Sequence, residues 1–279
     1  MKSRESSSNL VVFRAGGQPW GNLLLSLWQF RTFIGILCWR DLKVRYKQTA
    51  LGIAWVILIP FVSMVVFSLI FGGLAKIPSD GHPYPIFVFS GLLIWQLFAK
   101  AFSDVSQCLT NNLALIKKVF FPRMALPVAG ALPGIVDFVC GLGVLFVLVI
   151  YYGVSLRWGW VVLPVFVLIA VWSAFAVGLW LATLNASYRD VQFLLPFMSQ
   201  LWFFGTPVVY PLSLVPMPWQ PLMFLNPMTT AVVGVRWAIL GSDAPPVFGV
   251  ALSIFVLILV SLGGIWTFRR FELGFADRL

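Results

Sequence analysis

Charge is what this chain of 279 residues has least of. Asp, Glu, Lys and Arg together make up 10% of it and apolar residues 60%, whereas about a quarter of an ordinary soluble domain is charged. Mean hydropathy is +0.95. One core could not hide that much apolar surface, because buried area grows more slowly than chain length. Histidine occurs once and cysteine three times, as Cys38, Cys108 and Cys140. No Cys or His cluster with zinc-ligand spacing exists, so no metal site is expected. Two of the thiols fall in segments read as cytosolic and one in a membrane helix, so free thiols are expected. GxxxxGK[ST], HExxH and GxSxG are all absent, and no paired carboxylates stand at helical spacing. The chain therefore has no phosphate-cradling loop and no visible catalytic cluster of its own. Met1–Trp20 is polar, with no apolar core before a small-residue cleavage site, so no cleaved signal peptide is expected.

Long uncharged runs are what the sequence does have, and they predict an all-α integral membrane protein with six transmembrane helices. The spans are expected at about 51–74, 84–103, 127–152, 160–184, 191–209 and 247–268. The second span extends past Lys100, whose stem can snorkel. Val191–Val235 is uncharged throughout but carries Pro207, Pro211, Pro216, Pro218, Pro221 and Pro227, and interior prolines break helices. One span followed by a re-entrant broken helix pair between spans 5 and 6 fits that pattern. Asn226–Gly241 begins Asn-Pro and ends in Gly, the signature of a short capped helix. Basic residues crowd both ends of the chain, which places both termini in the cytosol and requires an even number of spans. Only Lys76, Arg157 and Arg236 then fall outside. The net charge of +10 is thus explained by topology, and no basic stripe interleaved with aromatics suggests nucleic acid.

A polar tail, 1–22, precedes an amphipathic segment at 23–50. Leu23, Leu24, Leu27, Trp28, Phe30, Ile34, Leu37 and Cys38 form its apolar stripe, while Arg31, Arg40, Lys43, Arg45 and Lys47 crowd toward the membrane end. This describes a helix in the cytosolic interface, or a plain topology anchor. Thr110–Arg123 reads as a short cytosolic helix, either a docking element or a membrane-surface helix. Asp137 is the acidic residue inside an apolar block. It is a candidate proton relay, but relays need more than one titratable group, which favours a structural partner. The aromatics, 16% of the chain, either contact lipid or line a path on which sugar rings stack, with Trp55, Trp202, Phe203, Phe204 and Tyr210 as candidates. A basic tail, 269–279, closes the chain.

Several segments together resemble ABC-2 type polysaccharide export permeases. They are YKQTALGIAWVILIP (Tyr46–Pro60), LNASYRDVQFLLPF (Leu184–Phe197), NPMTTAVVGVRWAILG (Asn226–Gly241) and FRRFELGFADRL at the end, with NNLALIKKVFFPRMALP where the family carries its coupling helix. The match runs in order from about Leu27 to Leu279, and the chain is most similar to the membrane subunit of O-antigen (lipopolysaccharide) transporters. The resemblance implies an inner-membrane homodimer of six-span subunits with two copies of a separate P-loop ATPase, which would hold the ATP and Mg. The substrate implied is a lipid-linked glycan on undecaprenyl pyrophosphate. It further implies a coupling helix at about 110–121, carried by Asn111, Asn112, Leu115, Lys117 and Lys118, and outer gate helices at about 211–241. Arg40, Lys43, Arg45 and Lys47, at headgroup depth, would collect the pyrophosphate by charge-assisted hydrogen bonds. Competing readings are a proton-coupled secondary transporter using Asp137, a membrane-embedded glycosyl- or acyltransferase, and a permease for teichoic acid or capsule.

Overall fold

The computed structural model describes residues 23–47, 54–119, 121–188 and 190–275. The polar tail 1–22, the start of the first span at Leu51, Arg189 and the end of the basic tail lie outside them. The described residues are helical almost throughout. In chain order the helices are α1 (Leu23–Gln29), α2 (Arg31–Lys47), α3 (Ala54–Phe67), α4 (Tyr84–Ser106), α5 (Cys108–Asn111), α6 (Leu113–Lys118), α7 (Ala125–Ala131) and α8 (Pro133–Tyr151). They continue as α9 (Leu163–Ser187), α10 (Val191–Phe204), α11 (Gln220–Met223), α12 (Pro227–Leu240) and α13 (Val247–Phe275). Among the described residues five segments are long and apolar enough to cross a bilayer: Ala54–Leu74, Tyr84–Ser106, Ala125–Tyr151, Trp158–Ser187 and Val247–Glu272. A pair bent by 106°, Met217–Met223 and Pro227–Leu240, would be a sixth if it crosses as one unit. The chain is a multi-pass all-α membrane protein with a bent helix pair near its C-terminal end.

α10, in the region expected to form the fifth span, is short. Its 14 residues make a helix of about 21 Å, against about 30 Å of hydrocarbon. It stops at Phe204 because Gly205, Thr206 and Pro207 follow, and Pro207 offers no N–H to continue the ladder. Gly205 and Thr206 donate instead to Leu201 and Phe203 carbonyls, and the chain turns.

α4 forms the centre of the bundle, with Phe87, Phe89, Phe98 and Phe102 fully buried. It packs against α3, α7, α8, α9 and α12, while α9 packs in turn against α12 and α13. In lipid no hydrophobic force separates helix from solvent, so close contact rests on small residues. Gly178 of α9 lies against Val105 of α4, where a Cβ would come within 2.6 Å of its Cγ1. α13 is held to α9 by Trp172 Nε1 donating to Ser261 Oγ at 2.8 Å and Trp180 Nε1 to the Val260 carbonyl at 2.9 Å. These two tryptophans therefore bind a neighbouring helix as well as facing outward.

A second cluster of buried side chains joins Ile34 and Leu37 of α2 to Leu109, Phe121, Met124 and Phe268. α1 and α2 run nearly continuously, since Phe30 donates to Ser26 and Ile34 to Phe30. The apolar residues of this segment divide between two faces. Ile34 and Leu37 meet the protein, whereas Leu25, Trp28, Ile36 and Trp39 are exposed.

Candidate functional site

Asp137, in the second turn of α8, accepts from two residues at the end of α2. Arg45 Nη1 lies 2.5 Å from Asp137 Oδ2, and the Tyr46 hydroxyl donates to Asp137 Oδ1. Arg45 Nη2 reaches Asp104 Oδ2 of α4 at 3.5 Å, and Lys100 Nζ meets Asp104 Oδ1 at 2.6 Å. Two basic and two carboxylic side chains thus form a part-buried cluster across α2, α4 and α8. A carboxylate in an apolar block is tolerated when paired in this way. Burial, and then the hydrogen bond to Asp137, pushes the Tyr46 phenol up to about 12, so it is a donor at any physiological pH. Asp104 was not singled out by the sequence pattern. Its position four residues after Lys100, on one face of a helix, is the signal that could have found it.

The remaining α2 cations divide. Arg40 bonds its neighbour Asp41 and donates Nη2 to Asn112 Oδ1 at 2.8 Å. Among the described residues no hydrogen bond or ion pair engages Lys43 or Lys47, and both are exposed.

Asn112 separates α5 from α6. Its Nδ2 donates to the Cys108 carbonyl at 2.9 Å while its Oδ1 receives Arg40, so one side chain closes the turn and ties it to α2. Asn185 of α9 holds the same segment from behind, donating to the Ser106 carbonyl at 3.2 Å. Arg123 Nη1 donates to the Glu272 carbonyl of α13 at 3.1 Å. Leu115 and Ile116 pack on the second cluster, leaving Asn111, Lys117 and Lys118 exposed. The arrangement is a short, rigidly backed helix presenting polar side chains. Burial pushes the Cys108 thiol well above its usual range, and all three cysteines are free.

The candidate aromatics are not gathered on one surface. Trp202 turns inward, edge-on to Phe98 and Phe102, and its Nε1 donates to Asn226 Oδ1 at 2.9 Å. Phe203 is buried between Phe67 and Trp95. Tyr210 donates its hydroxyl to the Phe204 carbonyl at 3.1 Å, while Phe204 and Trp55 expose their rings.

α12 has the ends its sequence announces. Asn226 Oδ1 accepts from Met228 N at 3.0 Å, as an N-cap should. Gly241 stops the helix at φ 78°, its N–H donating to the Arg236 and Trp237 carbonyls, the left-handed closure glycine permits. Between them lies Arg236, read from the sequence as an outside cation but 3% exposed. The signal was an arginine inside a capped apolar helix, which merits a functional hypothesis by default. No group of three or more metal-ligating side chains occurs among the described residues.

The described residues form a polytopic helical bundle with a bent pair near its end and a backed polar helix at one face. Residues 32–240 match the family model described as ABC-2 type transporter, and the chain belongs to that family. It is similar to the O-antigen export system permease protein RfbA of Myxococcus xanthus, with 32% identity over 257 residues, covering 90% of this chain and 97% of the relative. A protein of the same name from Klebsiella pneumoniae is 26% identical over 242 residues, 86% of this chain and 92% of its own length. Another from that organism is 28% identical over 199 residues, 71% and 76% of the respective chains.

Proposed function

We propose that the chain is the permease of an ABC exporter that moves O-antigen, a polysaccharide carried on undecaprenyl pyrophosphate, across the bacterial inner membrane. The observation that carries this is similarity over nine-tenths of the chain to a permease named for O-antigen export. In this reading the protein is a homodimer of six-span subunits, α10 with the turn after it supplying the fifth crossing. Both termini lie in the cytosol, and two copies of a separate P-loop ATPase bind the ATP and Mg.

α5 and α6 would be the coupling element. Asn111, Lys117 and Lys118 face the ATPase, and Leu115 and Asn112 pass its movement to the bundle. Because Arg40 links Asn112 to α2, a push on the coupling helix also moves the interface helix. Of the four α2 candidates, Lys43 and Lys47 have no hydrogen-bond or ion-pair partner among the described residues and suit a pyrophosphate at headgroup depth. Arg40 and Arg45 already have partners and would join only by exchanging them. Phe204 and Trp55 offer open rings for sugar stacking, with Trp202, Phe203 and Tyr210 shaping the wall behind. Asp137 serves as the counter-charge of Arg45, which leaves a proton-coupled mechanism without a free carboxylate at this position.

The test is complementation. In a strain whose own O-antigen permease gene is deleted, this gene together with a neighbouring ATPase gene should restore surface polysaccharide, and the ATPase should co-purify stoichiometrically. A chain that purifies alone and moves a lipid-linked sugar without ATP would sink the proposal.

A further inference from the structure

The bent element between α10 and α13 contains two kinds of backbone. In the turn after α10, four successive carbonyls accept from side chains. Arg236 Nη1 donates to Pro207 O at 2.6 Å and Tyr210 O at 3.2 Å, and Nη2 to Val208 O at 2.5 Å. The Tyr84 hydroxyl donates to Val209 O at 2.6 Å. The guanidinium also lies over the Phe87 ring, 3.6 Å from its centroid. Gly91 leaves no slack, since a Cβ there would stand 2.8 Å from Val208 O and 2.9 Å from Arg236 Nη2. No ion pair engages Arg236 among the described residues, and its guanidinium touches backbone carbonyls and a ring face.

The following stretch, Leu212–Met223, has few such ties. Leu214, Met217, Trp219 and Leu222 are exposed. Gln220 bonds within the stretch, to the Val215 carbonyl. Ser213 Oγ donates to Asp80 Oδ1 at 2.7 Å, on a loop where Asp80 has a φ of 50°. Beyond it the backbone is anchored again, because Phe224 is buried and its carbonyl accepts from Ser253 of α13 at 2.7 Å.

We propose that Arg236 is a positioning residue that rivets α12 and the Pro207–Tyr210 turn to α4, so that opening is confined to an arm, Leu212–Met223. The arm swings between Pro211 and Phe224, and the Ser213–Asp80 contact is its catch. This rests on reading the bent element as the outer gate of an exporter. Pulling α12 off the turn would strip a guanidinium and three carbonyls of their partners at once, and lifting it from α4 would take the Phe87 ring from the guanidinium. Among the described residues, swinging the arm breaks one side-chain hydrogen bond to the rest of the protein, the exposed Ser213–Asp80 contact, while the short backbone turns at its two ends flex.

Hydrogen–deuterium exchange on the purified full chain in lipid nanodiscs tests the division. Amides of the arm should exchange at least ~100-fold faster than those of Val208–Tyr210 and α12. Arg236→Gln should speed exchange of that turn and of α12 roughly tenfold, with α9 and α13 unchanged. An arm as protected as α12, or a turn indifferent to Arg236→Gln, overturns the proposal. If Arg236→Gln does not fold, Gly91→Ala presses on the same turn and carries the same expectation and the same overturning result. In cells, Asp80→Cys with Ser213→Cys, in a background with the native cysteines replaced and joined by a short thiol-specific cross-linker, should cut surface polysaccharide more than ~10-fold, and a reductant that cleaves the linker should restore it. Unimpaired export by the cross-linked protein overturns the catch. Arg236→Lys should lower export several-fold while ATP turnover by the complex continues, and a parallel fall in both would indicate a merely structural role and overturn the assignment. Failure of the unmodified chain to restore surface polysaccharide would remove the exporter reading alone, since the exchange pattern requires no substrate.

Discussion

Two arginines, Arg45 and Arg236, sit in low-dielectric parts of this bundle and are neutralised in opposite ways. Arg45 faces the carboxylates of Asp137 and Asp104 in a cluster that remains part-exposed. Arg236 is enclosed and faces carbonyls and an aromatic ring. The carboxylate partners are part-exposed side chains, which can swing away and give up their place to another anion. The carbonyl partners are part of the backbone and cannot be exchanged without unfolding the turn that supplies them. The proposed roles follow that difference, with partner exchange assigned to the Arg45 cluster and rigidity to the Arg236 turn.

The largest effect should come from emptying the carbonyl cage. Arg236→Ala leaves two buried carbonyls and one part-buried one without donors and should cost about 4 kcal/mol, seen as a sharp loss of folded protein and of thermal stability in detergent. A cost near zero would mean that water enters the cage and that the two arginines do not differ. Next, Asp137→Ala leaves Arg45 with its more distant carboxylate and should cost about 2 kcal/mol. Asp137→Asn keeps one acceptor oxygen, for Arg45 or Tyr46 but not for both, and should cost less than the alanine variant, with ATP-driven export within about threefold of the parent. Loss of all transport in a well-folded Asp137→Asn protein would restore the proton-relay reading.

Smaller effects are expected where the charges meet solvent. Arg40→Ala should change stability by less than about 1 kcal/mol, because the Arg40–Asp41 pair is exposed and exposed pairs contribute little. It should nevertheless lower export per ATP hydrolysed by freeing Asn112 from α2, as measured in reconstituted complexes. Smallest in stability, Lys43→Gln with Lys47→Gln should leave thermal unfolding unchanged. Its effect should appear in export alone, as a several-fold fall that deepens with salt, since point charges on a surface are screened. Unchanged export would reduce these lysines to topology anchors.

Much of the fold was legible along the chain. Helices α3, α4, α8, α9 and α13 follow apolar runs long enough to cross a bilayer, and Asn226 and Gly241 end α12 as their chemistry requires. The break after α10 was visible in its prolines, although the helix stops at Phe204, sooner than the run of apolar residues suggested. Pairing within the site was far less legible. Asp137 offered a bare carboxylate, and nothing near it indicated that Arg45, 92 residues earlier, would be its partner. Trp202 was read by composition as a lipid-facing or channel ring. Its indole N–H in fact bonds Asn226, 24 residues on, because the bent element folds back against the end of α10.

Membrane residence, helical class and the places where helices must break were determined by the sequence itself, because hydropathy, proline and glycine act over a turn or a single span. Which cations remain free, which are neutralised, and by carboxylate or by carbonyl, was decided only in the tertiary structure. Those outcomes depend on distances between helices that packing sets, and no local pattern of residues contains them.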